Sequence, residues 1–202
     1  MHNILIGTNN LHKLEEIKAI LGDFLEYHTL QELQIHSEPE ENGTTYEENA
    51  FIKANYFSNL SGMPCLADDT GLEIDYLQGK PGIYSARWSG VSGEKRYQAN
   101  NAKILQQLAN CTGEERKARF VCVTVLAYKG KQLLCCRGEC LGHILTQERG
   151  KNGFGYDPLF EVDGYNKTYA ELENTIKNQI SHRARSLQKF MQEFSNITLP
   201  NA

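Results

Sequence analysis

The chain has 202 residues, of which 40% are hydrophobic and 23% are charged. This composition is typical of a globular protein and argues against wholesale disorder or a fibre. A net charge of −4 argues against nucleic acid as a partner held by bulk charge. The cysteines form no CxxC pair, the apolar run before Gly7 is shorter than a signal-peptide core, and no stretch is apolar enough for a membrane span. We therefore expect a single cytoplasmic domain over residues 1–202, with reduced thiols and no membrane partner.

The hydrophobic pattern of the first part of the chain predicts strands and helices in alternation. It indicates a strand over 3–7, a helix from Leu11 that closes at Gly22, a strand over 24–30 and a helix over 46–60. An acidic stretch, 35–45, is broken by proline and glycine and is predicted to be a loop.

The rest of the chain continues the alternation and adds a hairpin. The predicted elements are a strand over 64–67 that 72–77 extends, a helix over 93–109, a hairpin of 119–128 with 132–141, a glycine-rich loop over 150–158, a strand over 159–162 and a long helix over 175–194. Helices interleaved with strands and a hairpin predict an α/β domain with a mixed sheet.

Two of the predicted helices have basic side chains at positions where the helical periodicity predicts apolar ones. Lys53 falls inside the apolar stripe of the helix over 46–60, and Arg183 lies at the edge of the stripe of the last helix, near Lys177 and His182. Such cations either face an anion or have structural explanations: a lysine that reaches the surface, and an arginine paired with an internal carboxylate. The pattern leaves both interpretations open.

The segment TNNLHK, residues 8–13, follows a buried strand and opens a helix. Helix N-termini bind anions, and Lys13 in the first turn favours a bound anion. A plain Thr or Asn cap explains the same residues.

Adjacent carboxylates, Asp68 and Asp69, end an apolar strand, and strand ends are where α/β proteins place their sites. Such a pair suits Mg²⁺ together with substrate phosphates, although Asp-Gly turn chemistry is an alternative. Glu40 and Glu41 of the acidic loop could add a carboxylate or form a solvated charge run.

Two aromatic residues alternate with glycines in GFGYDP, residues 153–158. This segment offers a stacking face for a nucleobase, or it is an aromatic-anchored surface loop. Taken together, the five features specify a nucleoside polyphosphate with Mg²⁺.

Six segments, in order, resemble the Ham1/inosine triphosphatase-like family of pyrophosphatases for noncanonical purine nucleoside triphosphates. They are TNNLHK (8–13), EENGTTYEENAFIKA (40–54), LADDTGLEID (66–75), GKPGIYSARW (79–88), GFGYDP (153–158) and KNQISHRARSL (177–187). The resemblance implies an elongated, two-lobed α/β fold with a central mixed sheet flanked by helices, an active-site cleft between the lobes, and a homodimer. It also implies Mg²⁺-dependent hydrolysis of ITP, dITP and XTP to the monophosphate and pyrophosphate, which keeps these nucleotides out of DNA and RNA.

The resemblance also implies roles for individual residues. Asp69 would be general base and metal ligand, with Glu40 as the second ligand and Glu41 as a near alternative. Thr70 would contact substrate. The residues implied to bind the phosphates are Thr8, Asn9, Asn10, Lys13 and Lys53. Those implied to surround the nucleoside, with Phe154 or Tyr156 stacking on the base, are Phe154, Gly155, Tyr156, Asp157, Lys177, His182 and Arg183.

Two other functions fit the residues. A Mg²⁺ phosphohydrolase acting on phosphate monoesters would release orthophosphate. The form of this enzyme with an aspartate nucleophile requires a DxD motif, whereas the aspartates of this chain are adjacent. A non-catalytic nucleotide-binding module would hydrolyse no purine triphosphate.

Overall fold

A computed structural model describes residues 3–197. Its strands are β1 (Asn3–Ile6), β2 (Glu26–Thr29), β3 (Cys65–Ile74), β4 (Lys80–Pro81), β5 (Lys117–Tyr128), β6 (Lys131–Ile144) and β7 (Phe160–Val162). Its helices are α1 (Leu11–Leu21), α2 (Tyr46–Ser61), α3 (Arg96–Gln107), α4 (Asn174–Ile180) and α5 (His182–Phe194). Strands and helices alternate through the first half, as the hydrophobic pattern predicts.

The strands form one mixed sheet with the order β2-β1-β3-β5-β6-β7, and β4 pairs with β3. β1 is parallel to both β2 and β3, whereas β7 is antiparallel to β6 and β4 to β3. A two-residue turn joins β5 to β6, and both of its residues, Lys129 and Gly130, have positive φ as hairpin turns of this length require. The predicted α/β class with a mixed sheet is confirmed.

The chain divides into two compact units, and each has an apolar core of its own. Unit 1 comprises the described parts of Met1–Asp69, Cys122–Gly138 and His182–Ala202, and unit 2 comprises Thr70–Val121 and Glu139–Ser181. The core of unit 1 gathers residues of β1, α1 and α5, including Ile4, Ile17 and Phe190. The core of unit 2 includes Phe120, Phe160 and Tyr169, whose rings lie against one another. The number of domains stays a prediction.

Local chemistry sets the ends of the first two helices. Asn10 caps α1 by accepting hydrogen bonds from the amides of His12 and Lys13, and Thr45 caps α2 by accepting from Glu48. Gly22 and Gly62 end these helices with positive φ, which glycine adopts without strain.

The single long helix predicted over 175–194 is wrong. α4 ends at Ile180, Ser181 is extended with φ −66° and ψ 161°, and α5 begins at His182. The apolar stripe is compatible with one helix, but the chain breaks at Ser181, and the first turn of α5, with His182 and Arg183, is buried.

All six cysteines are free thiols. Within residues 3–197, no helix has the length and apolar character needed to cross a membrane.

Candidate active site

Parallel pairing of β1 with β3 brings residues 8–13, the proposed phosphate segment, next to the two aspartates. The prediction that Asp68 and Asp69 end a strand is wrong, because β3 runs through both residues and continues to Ile74. In the register of β1 with β3, Leu5 lies opposite Cys65 and Ile6 opposite Leu66. The residues that follow β1 therefore lie beside Asp68 and Asp69, which continue β3. All of these residues belong to unit 1.

Asp68 is buried and touches three cations. Lys13 Nζ donates to its Oδ1 at 3.1 Å, and Arg183 donates to its Oδ2 from Nε at 3.2 Å and from Nη2 at 3.0 Å. Lys53 Nζ donates to the main-chain oxygen of Asp68 at 2.9 Å, and the Cys122 thiol lies 3.6 Å from Oδ2. Because both carboxylate oxygens are engaged by cations, this side chain is held in one orientation.

Arg183 is 1% exposed, and its Nη1 donates to Glu16 on α1. Burial opposes the charge of this guanidinium, but Asp68 and Glu16 outweigh burial and raise the pKa of Arg183 above its usual value. Of the two interpretations left open for Arg183, the structure favours the one with an internal carboxylate.

Asp69 lies beside Lys53 and Asn49. Its Oδ1 is 3.8 Å from Lys53 Nζ, and Asn49 Nδ2 donates to its Oδ2 at 3.4 Å. Lys53 Nζ also pairs with Glu41 Oε1 at 3.0 Å. The structure thus places Glu41, and not the exposed Glu40, next to Asp69. Whether Glu40 or Glu41 is the second metal ligand stays a prediction, and the ion pair with Lys53 favours Glu41.

Burial dominates the electrostatics of Asp69. Desolvation raises the pKa of this carboxyl, Lys53 and Lys13 lower it, and Glu41 and Asp68 raise it again, with a net upward shift. Burial lowers the pKa of Lys53, but Asp69, Glu41 and Asp68 more than offset burial and raise it. The lysine is therefore a fixed cation beside a carboxyl that keeps its proton more readily than usual.

Residues 8–13, the proposed phosphate segment, make hydrogen bonds among themselves and one to Glu38. Thr8 Oγ1 accepts from the amide of Asn10, and Asn9 Nδ2 donates to Glu38 at 3.2 Å. Asn10 Oδ1 caps α1, so it accepts from two of the amides that were expected to face an anion. The cap interpretation is therefore confirmed for Asn10.

A second polar cluster lies in unit 2. Lys177 Nζ donates to Asp157 Oδ2 at 2.7 Å, and both side chains are about 95% buried. The same ammonium lies 5.4 Å from the ring centre of Phe154 and 5.3 Å from that of Tyr169. We call Asp157 and Lys177 the lysine–aspartate pair.

The loop that carries Asp157 depends on a glycine. Asp157 Oδ2 accepts from the amide of Phe154 at 2.9 Å. Gly153 has φ +73°, and a Cβ there would lie 2.0 Å from Asp157 Oδ2. Gly155 also has positive φ, with open space where a Cβ would be.

Of the two aromatics considered for stacking, Tyr156 is unsuited. Its ring is buried in the core of unit 2, and its hydroxyl donates to the main-chain oxygen of Ser85 at 2.8 Å. Phe154 is half-buried, with its ring centre 6.2 Å from that of Tyr97. This corrects the expectation that either ring could stack on a base.

The remaining predicted residues lie in or beside these clusters. Thr70 follows Asp69 on β3 and is half-buried, and His182 is buried at the start of α5. Sequence reasoning missed Asn49 and Glu16. Asn49 stands one helical turn before Lys53, so the rule that found Lys53 could have found it.

The donor set around Asp69 fits a divalent cation. The carboxylate–cation cluster, as we call these side chains of unit 1, contains four carboxylates and three cations: Glu16, Glu41, Asp68 and Asp69 with Lys13, Lys53 and Arg183. No three His, Cys, Asp or Glu side chains within residues 3–197 form a protein cage for a metal. Mg²⁺ binds through one or two carboxylates plus substrate phosphates. Asp69 and Glu41, which both lie beside the Lys53 ammonium, provide two such carboxylates.

An α/β fold with buried polar side chains beside the carboxyl end of a parallel strand, here β1, is typical of ligand-binding proteins. The Ham1 family model matches residues 4–193, so the chain belongs to the Ham1 family.

Relatives of known name support this placement. A dITP/XTP pyrophosphatase of Clostridium perfringens is 44% identical over 204 residues, which cover 98% of this chain and 99% of the relative. The HAM1 protein of Coxiella burnetii has a similar structure, with a TM-score of 0.85 and 36% identity over 98% of this chain and all of that one. The Ham1 protein of Staphylococcus aureus has a TM-score of 0.82 and 38% identity over 96% of this chain and 98% of that one.

Proposed function

We propose that this chain hydrolyses noncanonical purine nucleoside triphosphates such as dITP, XTP and ITP to the monophosphate and pyrophosphate, and so keeps them out of DNA and RNA. The observation that carries the proposal is the Asp69 carboxyl, buried beside Lys53 and Glu41 with a raised pKa. Membership of the Ham1 family and similarity to named dITP/XTP pyrophosphatases support it.

Asp69 is the proposed general base. A water oxygen forms a bond to the α-phosphorus, and the bond from that phosphorus to the oxygen bridging to the β-phosphate breaks. The electron pair leaves with pyrophosphate, and the water proton moves to Asp69. A carboxyl whose pKa is raised by burial accepts a proton more readily than an exposed one, which suits this step.

The carboxylate–cation cluster is the proposed phosphate site. Lys13 and Lys53 would offset negative charge on the departing pyrophosphate. With four carboxylates against three cations, the cluster carries an excess negative charge that opposes a triphosphate. Mg²⁺ held by Asp69 and Glu41 would supply the missing positive charge and polarise the phosphoanhydride.

The lysine–aspartate pair and Phe154 are the proposed nucleoside site. Phe154 offers a half-buried ring for stacking on a purine. His182 would add a donor that favours the oxygen at purine position 6 over the amino group of adenine.

Assembly as a homodimer and a cytoplasmic location are also part of this proposal, and both rest on the family resemblance. Light scattering on the purified chain would measure twice the mass of one chain if it dimerises.

The decisive experiment is a panel of nucleoside triphosphates assayed for pyrophosphate release with and without Mg²⁺. The proposal expects Mg²⁺-dependent release from ITP, dITP and XTP, with much less from ATP. Orthophosphate as the product would favour a phosphohydrolase of another kind. No hydrolysis of any purine triphosphate would favour a binding module.

A further inference from the structure

Four side chains of alternating charge form a ring in unit 1, which three ion pairs and one turn of α1 complete. Lys13 and Glu16 lie one turn apart on α1, Asp68 lies on β3, and Arg183 lies on α5. Lys13 pairs with Asp68, Asp68 with Arg183, and Arg183 with Glu16, which returns the ring to α1. Three elements are thus tied together at the point where the proposed phosphate segment begins.

Each member of the ring constrains the next. The Arg183 side chain is 99% buried, so its guanidinium depends on the two carboxylates for neutralisation. Arg183 engages Oδ2 of Asp68 through two nitrogens, which turns Oδ1 toward Lys13. The Lys13 side chain is 16% exposed, the most accessible of the four members of the ring. Lys13 is therefore linked to Glu16 through Asp68 and Arg183.

We propose that Glu16 is a positioning residue of the phosphate site: through Arg183 it holds the Asp68 carboxylate in the orientation that places Lys13. The inference rests on the proposed function, because Lys13 is a proposed ligand of the phosphates. It assigns separate roles to the two adjacent aspartates. Asp68 fixes cations, whereas Asp69 is left for the chemistry.

The test is a double-mutant cycle between Glu16→Gln and Lys13→Ala. If Glu16 acts through Lys13, Glu16→Gln lowers kcat/KM for ITP by about tenfold, within the range in which members of one network couple. In the Lys13→Ala background the same change should then lower kcat/KM by less than about twofold. Independent effects that multiply would overturn the proposal.

Glu15→Gln is the matched control. Glu15 is the preceding residue on α1 and is exposed, so this variant makes the same charge change without touching the ring. It should leave kcat/KM unchanged. A Glu16→Gln effect no larger than that of Glu15→Gln would also overturn the proposal.

Calorimetric titration with inorganic pyrophosphate separates this inference from the proposed function. Glu16→Gln should weaken pyrophosphate binding by a similar factor, and the cycle can be repeated on this affinity. If the wild-type chain binds pyrophosphate but releases none from ITP, the proposed function fails while the ring is still tested. If Glu16→Gln does not fold, Glu16→Asp, which keeps the charge on a shorter side chain, is used in the same cycle with the same criterion of additivity.

Discussion

The carboxylate–cation cluster and the lysine–aspartate pair are both buried and both ionic, but they differ in charge balance. The first contains four carboxylates against three cations, whereas the second contains one of each, beside the rings of Phe154 and Tyr169. A cluster with surplus carboxylate attracts a cation, and a balanced pair beside aromatic rings does not. This difference supports the proposal that metal and phosphate chemistry belong to unit 1 and that the uncharged nucleobase belongs to unit 2.

The largest effect should come from Asp69→Asn. The variant keeps the shape of the side chain but removes the proposed proton acceptor, so kcat should fall by about 10²–10⁴-fold. Pyrophosphate release from ITP measures the loss, and circular dichroism checks that the fold is retained. Activity within tenfold of wild type would show that the chemistry of unit 1 does not depend on this carboxylate.

Phe154→Ala should act on binding. Loss of base stacking costs about 1–3 kcal/mol, which corresponds to about 5- to 150-fold in KM for ITP. kcat should change less, because loss of base stacking acts on binding and the proposed proton transfer does not involve Phe154. Tyr165→Ala, an exposed aromatic of the same unit, is the control and should leave KM unchanged. An equal rise in KM from both variants would show that Phe154 has no specific role in binding the base, and that unit 2 does not hold the nucleoside site proposed for it.

Periodicity and apolar runs predicted much of the cluster in unit 1. The sequence predicts Lys53 because it interrupts an apolar stripe, and Asp69 because it follows an apolar run; the structure brings the two within 3.8 Å. Both signals are local, because a helix face and an apolar run are each visible in about ten residues of sequence. The predicted strand end at Asp69 is wrong, because β3 continues to Ile74.

The parts that sequence did not predict depend on distant contacts. Glu16 lies 167 residues from Arg183 along the chain, so nothing local marks it as a partner. Phe154 and Tyr156 stand two residues apart in the same motif, and only the packing of unit 2 shows that Tyr156 is a core residue. The break at Ser181 was missed because the apolar stripe continues across it.

Tyr156→Phe should separate the two aromatics of the loop. The variant loses the hydrogen bond to the Ser85 oxygen, which still accepts from Asn100 at 3.1 Å. The expected loss is about 1 kcal/mol of unfolding free energy, a fall in Tm of roughly 2–4 °C for a chain of this size. KM for ITP should stay within about twofold of wild type, because the ring lies in the core. A KM effect as large as that of Phe154→Ala would restore Tyr156 as a stacking residue.

The smallest effect is expected from a change of pH without any substitution. The proposed base must be deprotonated, and burial raises the pKa of Asp69, so kcat/KM should fall with decreasing pH at a higher pH than for an ordinary aspartate, whose pKa is about 3.9. The measurement is kcat/KM for ITP between about pH 4 and 8. Phe154→Ala should lower the whole profile without moving its acid limb, since burial and the charges of Lys53, Lys13, Glu41 and Asp68 shift the pKa of Asp69. An acid limb that moves with Phe154 would mean that the nucleoside site controls the ionisation of the base, and the two clusters would then act as one.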